Sequence, residues 1–233
     1  MIMRVFVPAL AVLFSTAGAV AFAAQAPTPD QALVLTPIQQ LVEYTTPAKA
    51  EIAQCTIRPE KDNNITSWVV RNPQGEVLRR FADSNNDNIV DQWCYFANGI
   101  EVYRDIDSNF NGKADEYRWF NTAGTRWGVD KNEDGKIDAW KIISAQEVAE
   151  QVVLALKARD PARFQLLMLT PDELNALGMG ATQSQTIAAA LKAAPAGFSK
   201  LMAEQKTVTP QSLYVDFGSA RPGTVPTGSA GST

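Results

Sequence analysis

The chain has 233 residues, a net charge of −4, a sequence pI near 5.0 and no histidine. That length allows one or two domains with a sizeable core, and the acidic balance speaks against non-specific nucleic-acid binding, which needs a basic face. The lack of histidine removes Ser-His-Asp and Cys-His nucleophile pairs, imidazole zinc sites and histidine acid–base chemistry together.

Residues 1–23 read as a secretory signal peptide. Arg4 precedes an apolar run that ends in Ala21-Phe22-Ala23, an A-x-A cleavage site. The competing reading is an uncleaved anchor helix, because the run from Val5 to Ala23 approaches spanning length. Pro8, Gly18 and the small-residue end favour export with cleavage. The expectation is an exported chain (periplasmic, cell-surface or secreted) with no membrane association after cleavage. Residues 24–50 follow as a linker rich in Pro, Thr, Ala and Gln, in which "TPIQQLVEY" suits a short helix.

Export places Cys55 and Cys94 in an oxidising compartment. Two readings stay open. One is a disulfide closing a loop of about forty residues, worth roughly 3–4 kcal/mol on the chain-entropy argument. The other is a pair of free buried thiols, since sequence does not bring the two Cα atoms within bridging range. Two Cys without further Cys or His ligands are too few for zinc.

Residues 51–143 carry an internal repeat. "DSNNDNIVD" from Asp83, "DSNFNGKAD" from Asp107 and "DKNEDGKID" from Asp130 begin 24 and 23 residues apart, and each is followed two residues later by an aromatic: Trp93, Tyr117 and Trp140. "DNNITSW", from Asp62 to Trp68, aligns as a degenerate fourth copy with Thr66 in place of the last Asp. Between the loops, "WCYFANGIEVYRDI" alternates about an Asn98-Gly99 turn, "WVVRNPQGEVLRRF" turns at Asn72 to Gly75, and "YRWFNTAGTRWGV" turns at Asn121 to Gly124. The unit is strand, tight turn, strand, Asp/Asn loop. Chained units predict an antiparallel meander of β-hairpins with aromatics stacked at matched positions.

The loop spacing has a chemical reading. Calcium takes six to eight oxygen ligands at roughly 2.3–2.6 Å. A loop wrapping it offers side-chain oxygens at positions 1, 3, 5 and 9, a main-chain carbonyl at 7, and a residue tolerating positive φ at 6. The candidate ligands are Asp83, Asn85, Asp87, the Ile89 carbonyl and Asp91; Asp107, Asn109, Asn111, the Lys113 carbonyl and Asp115; and Asp130, Asn132, Asp134, the Lys136 carbonyl and Asp138. Position 6 is Asn88, Gly112 and Gly135, and Asn is the commonest non-Gly residue in that conformation. A polar turn needs Asx residues only at its corners, not at four alternating positions in three copies.

These loops resemble the calcium-binding loops of the EF-hand family and of dockerin, thrombospondin type 3 and FG-GAP β-propeller repeats. The loop at Asp130 is nearest an EF-hand, with Ile137 at the eighth position. The likeness covers about nine residues per loop and ends at position 12. There an EF-hand has a bidentate Glu, and this chain has Cys94, Arg118 and Lys141. The resemblance implies calcium ligation without a helix-loop-helix fold, and binding in the weak extracellular range of about 10⁻⁴–10⁻³ M.

Residues 144–206 read as a small helical domain. Ser144 with Glu147 and Thr170 with Glu173 have capping-box spacing, and Asp160-Pro161 repeats the start signal. Val148, Val152 and Leu156 line one predicted face, and Pro195 is expected to divide two further helices. Residues 207–233 hold a strand-like "SLYVDFGSA" and a Gly/Ser/Thr/Pro tail expected to be disordered.

The fold class expected is α+β: a β-hairpin meander with calcium loops, then helices. The function expected is an exported calcium-binding repeat protein in which calcium holds structure. An alternative is a cell-envelope adhesion module using Trp119 and Trp127 against a glycan or an envelope protein; the competing role for those rings is the sheet's own packing. A carboxylate-dependent hydrolase has least support. The Asp residues fall in the calcium registers, and Glu101 and Asp105 carry no signature, so an enzyme is not expected.

Overall fold

The computed structural model describes residues 27–121 and 126–215, and the chain divides into two compact units between Asp115 and Glu116. Composition alone puts the boundary near Ser144. In the structure the third hairpin and its loop fall with the helices instead.

In the first unit two short helices, α1 (Pro29–Leu33) and α2 (Lys49–Ile52), precede five strands: β1 (Thr56–Asp62), β2 (Ile65–Arg71), β3 (Val77–Asp83), β4 (Gln92–Ala97) and β5 (Ile100–Ile106). Each strand pairs antiparallel with the next, as the hairpin signals predict. Asn98 and Gly99 both take positive φ, +50° and +76°, which is what a two-residue turn between right-twisted strands requires. Asn72 to Gly75 closes the β2–β3 turn through a hydrogen bond from Gly75 N to Asn72 O.

The inner face of this meander buries Trp68, Val70, Phe81 and Cys55 with Ala32 and Leu33 of α1. Alternation places Trp93 and Tyr95 on that face too, and the register slip at Val70/Arg71 adds Leu78 to it. Segment 35–48 crosses the same face without regular structure. The helix expected in "TPIQQLVEY" does not form; the capping box lies upstream, where Thr28 and Gln31 open α1. The degenerate fourth copy is not a loop either. Asp62 pairs with Ile65 across a two-residue turn, so that hairpin lacks the length to wrap an ion.

In the second unit β6 (Glu116–Trp119), β7 (Trp127–Val129) and β8 (Ala139–Ile142) pair antiparallel in order. The turn predicted at Asn121 to Gly124 lies, from Thr122, outside the described residues. Four helices follow: α3 (Ala145–Ala158), α4 (Pro161–Gln165), α5 (Pro171–Ala176) and α6 (Ala181–Glu204). Ser144 and Thr170 close the capping boxes read from sequence, and Asp160 caps α4 with Pro161 at its first position.

Two helical expectations change. Of the predicted face of α3, Leu156 is buried and Val152 packs against the same cluster, while Glu147, Gln151 and Ala155 are buried beside it, Gln151 accepting from Arg163 and Glu147 lying near the basic Arg126. And α6 runs through Pro195 unbroken. Proline removes a single main-chain donor there, while Ser199 Oγ donates back to the Pro195 carbonyl. Phe164 stacks on Phe198 at 4.1 Å between ring centres, tying α4 to α6. Residues 212–215 form no strand. Residues 1–26, with the segment expected to be a signal peptide, and the tail from Asp216 lie outside the described residues. Among the described residues, no helix is long and apolar enough to cross a membrane.

Candidate metal centre

Each Asp/Asn loop begins where a hairpin strand ends, and all three fold alike. The carboxylate at position 1 accepts from main-chain N–H groups across the loop. Asp83 accepts from Asn86 and Asn88, Asp107 from Asn111 and Gly112, and Asp130 from Asp134 and Gly135, at 2.6–3.2 Å. The position 3 oxygen accepts from the N–H of position 5, and the position 5 oxygen from that of position 7. The position 9 carboxylate reaches back to the N–H of position 2: Asp91 to Ser84, Asp115 to Ser108, Asp138 to Lys131. The N–H of position 9 then closes the loop on the carbonyl just before position 1, at Ala82, Ile106 and Val129.

The backbone takes positive φ at position 6 in every loop, at Asn88 (+70°), Gly112 (+89°) and Gly135 (+85°), where the spacing places it. A second left-handed residue stands at position 4: Asn86, Phe110 and Glu133. Sequence does not announce this one, since only Asn86 has any taste for the conformation. Position 8 is also apolar throughout. Val90 joins the first unit's core, Ala114 is buried, and Ile137 lies so close over Gly128 that an added Cβ there would meet its Cδ1 at 2.8 Å.

The position 1 acids Asp83, Asp107 and Asp130 are all buried, and two N–H donors apiece offset their desolvation. Asp130 gains the Tyr117 hydroxyl as a further donor, at 2.8 Å. Among the described residues, however, no three Asp, Glu or Cys side chains gather as a metal-holding group. The loops hold their carboxylates on main-chain N–H groups, one by one.

One oxygen stands outside that scheme. Asp91 is 1% exposed; its Oδ2 accepts from both Ser84 N and Ser84 Oγ, at 2.7 and 2.8 Å, while its Oδ1 is buried with no hydrogen-bond partner. Burial raises the Asp91 carboxyl above the usual range. The Ser84 bonds and the Asn85 N–H pull it back, and the nearby Asp87 carboxylate pushes it further up. A buried carboxylate beside a second carboxylate, with neutral donors alone around it, is short of positive charge. The oxygens at its positions 1, 3, 5, 7 and 9 are of the kind a hard divalent cation takes. Sequence favours the loop at Asp130, but there the Lys136 ammonium sits 3.4 Å from Asp134 and supplies charge from within.

The two thiols are free and lie on opposite faces of the first unit's meander. Cys55 packs with Trp68 and Phe81, its Sγ directed to the Glu51 carbonyl. Cys94, between Trp93 and Tyr95 in β4, points the other way, opposite Arg80 and Arg104 on the neighbouring strands. Burial pushes the Cys94 thiol up to about 12. The disulfide considered from sequence would have to pass through the sheet. Loop-length reasoning could not see this, whereas the parity of position 94 within its strand could.

Glu101 and Asp105 also separate. Glu101 pairs with Arg104 at 2.7 Å. Asp105 is buried on the inner face, where it accepts from the Tyr103 hydroxyl and from Ile38 N of segment 35–48. Burial pushes its carboxyl up to about 7, against the pull of those two bonds. Nearby, Arg79 is fully buried with its guanidinium over the Tyr44 and Tyr95 rings, at 4.4 and 5.1 Å, and donates to Thr45 O.

In the second unit Trp119 is buried under Arg126, which lies 4.2 Å from its ring centre and ion-pairs with Glu150. Trp127 has Arg118 and Lys141 over its ring and donates to Glu116. Both indoles proposed as an adhesive surface are engaged within the chain. Comparison with protein families, curated proteins and solved structures finds no match for this chain.

Proposed function

We propose that this is an exported calcium-binding repeat protein whose loops at Asp83, Asp107 and Asp130 take calcium in a structural role. The observation that carries the reading is Asp91, a buried carboxylate beside the Asp87 carboxylate in a loop whose other ligand positions are also oxygen. Its support is the threefold recurrence of one hydrogen-bond scheme, which holds Asp and Asn at positions 1, 3, 5 and 9. Asp83, Asn85, Asp87, Asp91 and the Ile89 carbonyl would hold the ion in the first loop. The corresponding residues, from Asp107 to Asp115 and from Asp130 to Asp138, would do so in the others. The ion supplies charge neutralisation, not chemistry: it relieves the repulsion between Asp87 and Asp91 and ties one hairpin to the next.

The test is calcium titration into chelator-treated protein, read as melting temperature. Calcium at a hundred times its Kd should add about 2.7 kcal/mol by mass action. Magnesium should add less, because it dehydrates reluctantly and demands stricter geometry. Asp87→Ala with Asp91→Ala should remove the first loop's share of the rise. An unchanged melting temperature at millimolar calcium overturns the reading.

A further inference from the structure

The degenerate fourth copy of the repeat, Asp62 to Trp68, is too short to wrap an ion, yet it carries a chemistry of its own. In register with the loops, Thr66 stands where Asp91 closes the loop at Asp83. That exchange writes Asn64-Ile65-Thr66, an Asn-x-Thr acceptor signal for an N-linked glycan. The chain has twelve Asn, and Asn64 alone has Ser or Thr two residues on with no Pro between.

So short a signal also arises by chance, and its structural setting decides. A glycan is bulky and solvated, so its acceptor must stand on the surface with nothing over it. Asp62 ends β1 and Ile65 begins β2, which leaves Asn63 and Asn64 as the two-residue turn of that hairpin. Asn63 takes positive φ, +53°, and its side-chain amide donates to Asp62 Oδ1 at 3.2 Å. Asn64 is exposed, as are Lys61, Asp62 and Asn63 beside it, and among the described residues its side chain has no hydrogen-bond partner. The hairpin also lies at the sheet's edge. β1 pairs with β2 alone, and every residue of β1 except Ile57 is exposed. Thr66 differs: it is half-buried in β2, opposite Lys61 on one side and Asp83 on the other. Its hydroxyl is open to reading in the extended chain, before the sheet closes, while Asn64 stays clear afterwards.

We propose, resting on the export half of the reading above, that Asn64 is an N-glycosylation site, loaded by a membrane transferase from a lipid-linked pyrophosphate oligosaccharide as the chain emerges. Asn64 Nδ2 forms a bond to the anomeric carbon of the first sugar, and the bond from that carbon to the pyrophosphate oxygen breaks. The lipid pyrophosphate leaves with the electron pair. Nδ2 gives up one proton to solvent, and nothing is oxidised or reduced. The sugar then shields the tip of an edge strand, whose unpaired main-chain groups otherwise invite another strand.

The experiment is peptide mass spectrometry on the protein purified from the cells that make it. Trypsin cuts after Lys61 and Arg71, so Asn64 falls in the peptide from Asp62 to Arg71. That peptide should be heavier by whole sugar residues, with the added mass retained on Asn64 when the backbone is fragmented. Asn64→Gln and Thr66→Val should each return it to the bare mass, whereas Thr66→Ser should keep the sugar. Added mass that survives Asn64→Gln lies elsewhere and overturns the assignment. The N-terminal peptide of the same digest separates the two readings. A bare peptide in a chain that begins at Ala24 overturns glycosylation and leaves export standing. A bare peptide in a chain that keeps residues 5–23 removes export with cleavage, and the glycan with it.

Discussion

In the first unit the loop at Asp83 closes through Ser84, whose N–H and hydroxyl both bind one oxygen of Asp91 and leave the other bare. In the second unit the loop at Asp130 closes through the Lys131 main chain, the Lys136 ammonium sits against Asp134, and Tyr117 adds a hydroxyl to Asp130. The two loops share spacing, left-handed residues and main-chain bonds, yet the first is short of positive charge where the second brings its own. A repeat pattern therefore fixes the loop's path. The residues at positions 2 and 7, and the strand beneath, set its electrostatics.

The strongest way to probe the first unit's support is Trp68→Ala. Truncating a buried indole costs about 3–5 kcal/mol, and hydrogen exchange of the β2 to β5 amides should lose protection accordingly. Next is acidity. Asp105 sits at about 7 in the folded unit against an ordinary value of 3.8, so the folded state holds its proton more tightly. Its contribution is full below about pH 4, falls as pH rises toward 7 by at most about 1.4 kcal/mol per unit, and is flat above. Asp105→Asn should flatten that segment of a denaturation profile; a slope that persists unchanged assigns it to another group.

A smaller effect is expected in the second unit. Gly128→Ala should press on Ile137 and cost about 1–3 kcal/mol through overpacking, seen as a lower urea midpoint. If the midpoint stays put, loop position 8 is not anchored as described. The smallest is Lys136→Gln. Removing the internal cation should bring the loop at Asp130 closer to its counterpart, with calcium affinity rising a few-fold by calorimetry; an unchanged or lower affinity would break the electrostatic contrast between the loops.

Much of this was legible in the chain. Asn98-Gly99, Ser144 with Glu147, and Thr170 with Glu173 are local devices, and local chemistry settled them. The loop register was legible as well, because alternating Asx residues have few other uses. What stayed hidden depends on distant partners. Asp105 becomes unusual only once it is buried, against a segment whose Ile38 N–H reaches it from 67 residues away, and the Asp91 carboxyl only once the loop buries it beside Asp87. Segment 35–48 has no periodicity to read, since what holds it is a buried arginine and two rings. Pro195 misleads because a single missing donor does not stop an otherwise favourable helix.

The placement of the two thiols also bears on how the chain must be made. A Cys55–Cys94 bridge would have to pass through the native sheet. Were the chain exported to an oxidising compartment, the meander would have to close before an oxidant coupled the thiols. Once it has closed, a sheet on one side and a pair of guanidinium groups on the other keep Cys94 out of redox traffic, and a reagent that labels it counts opening events.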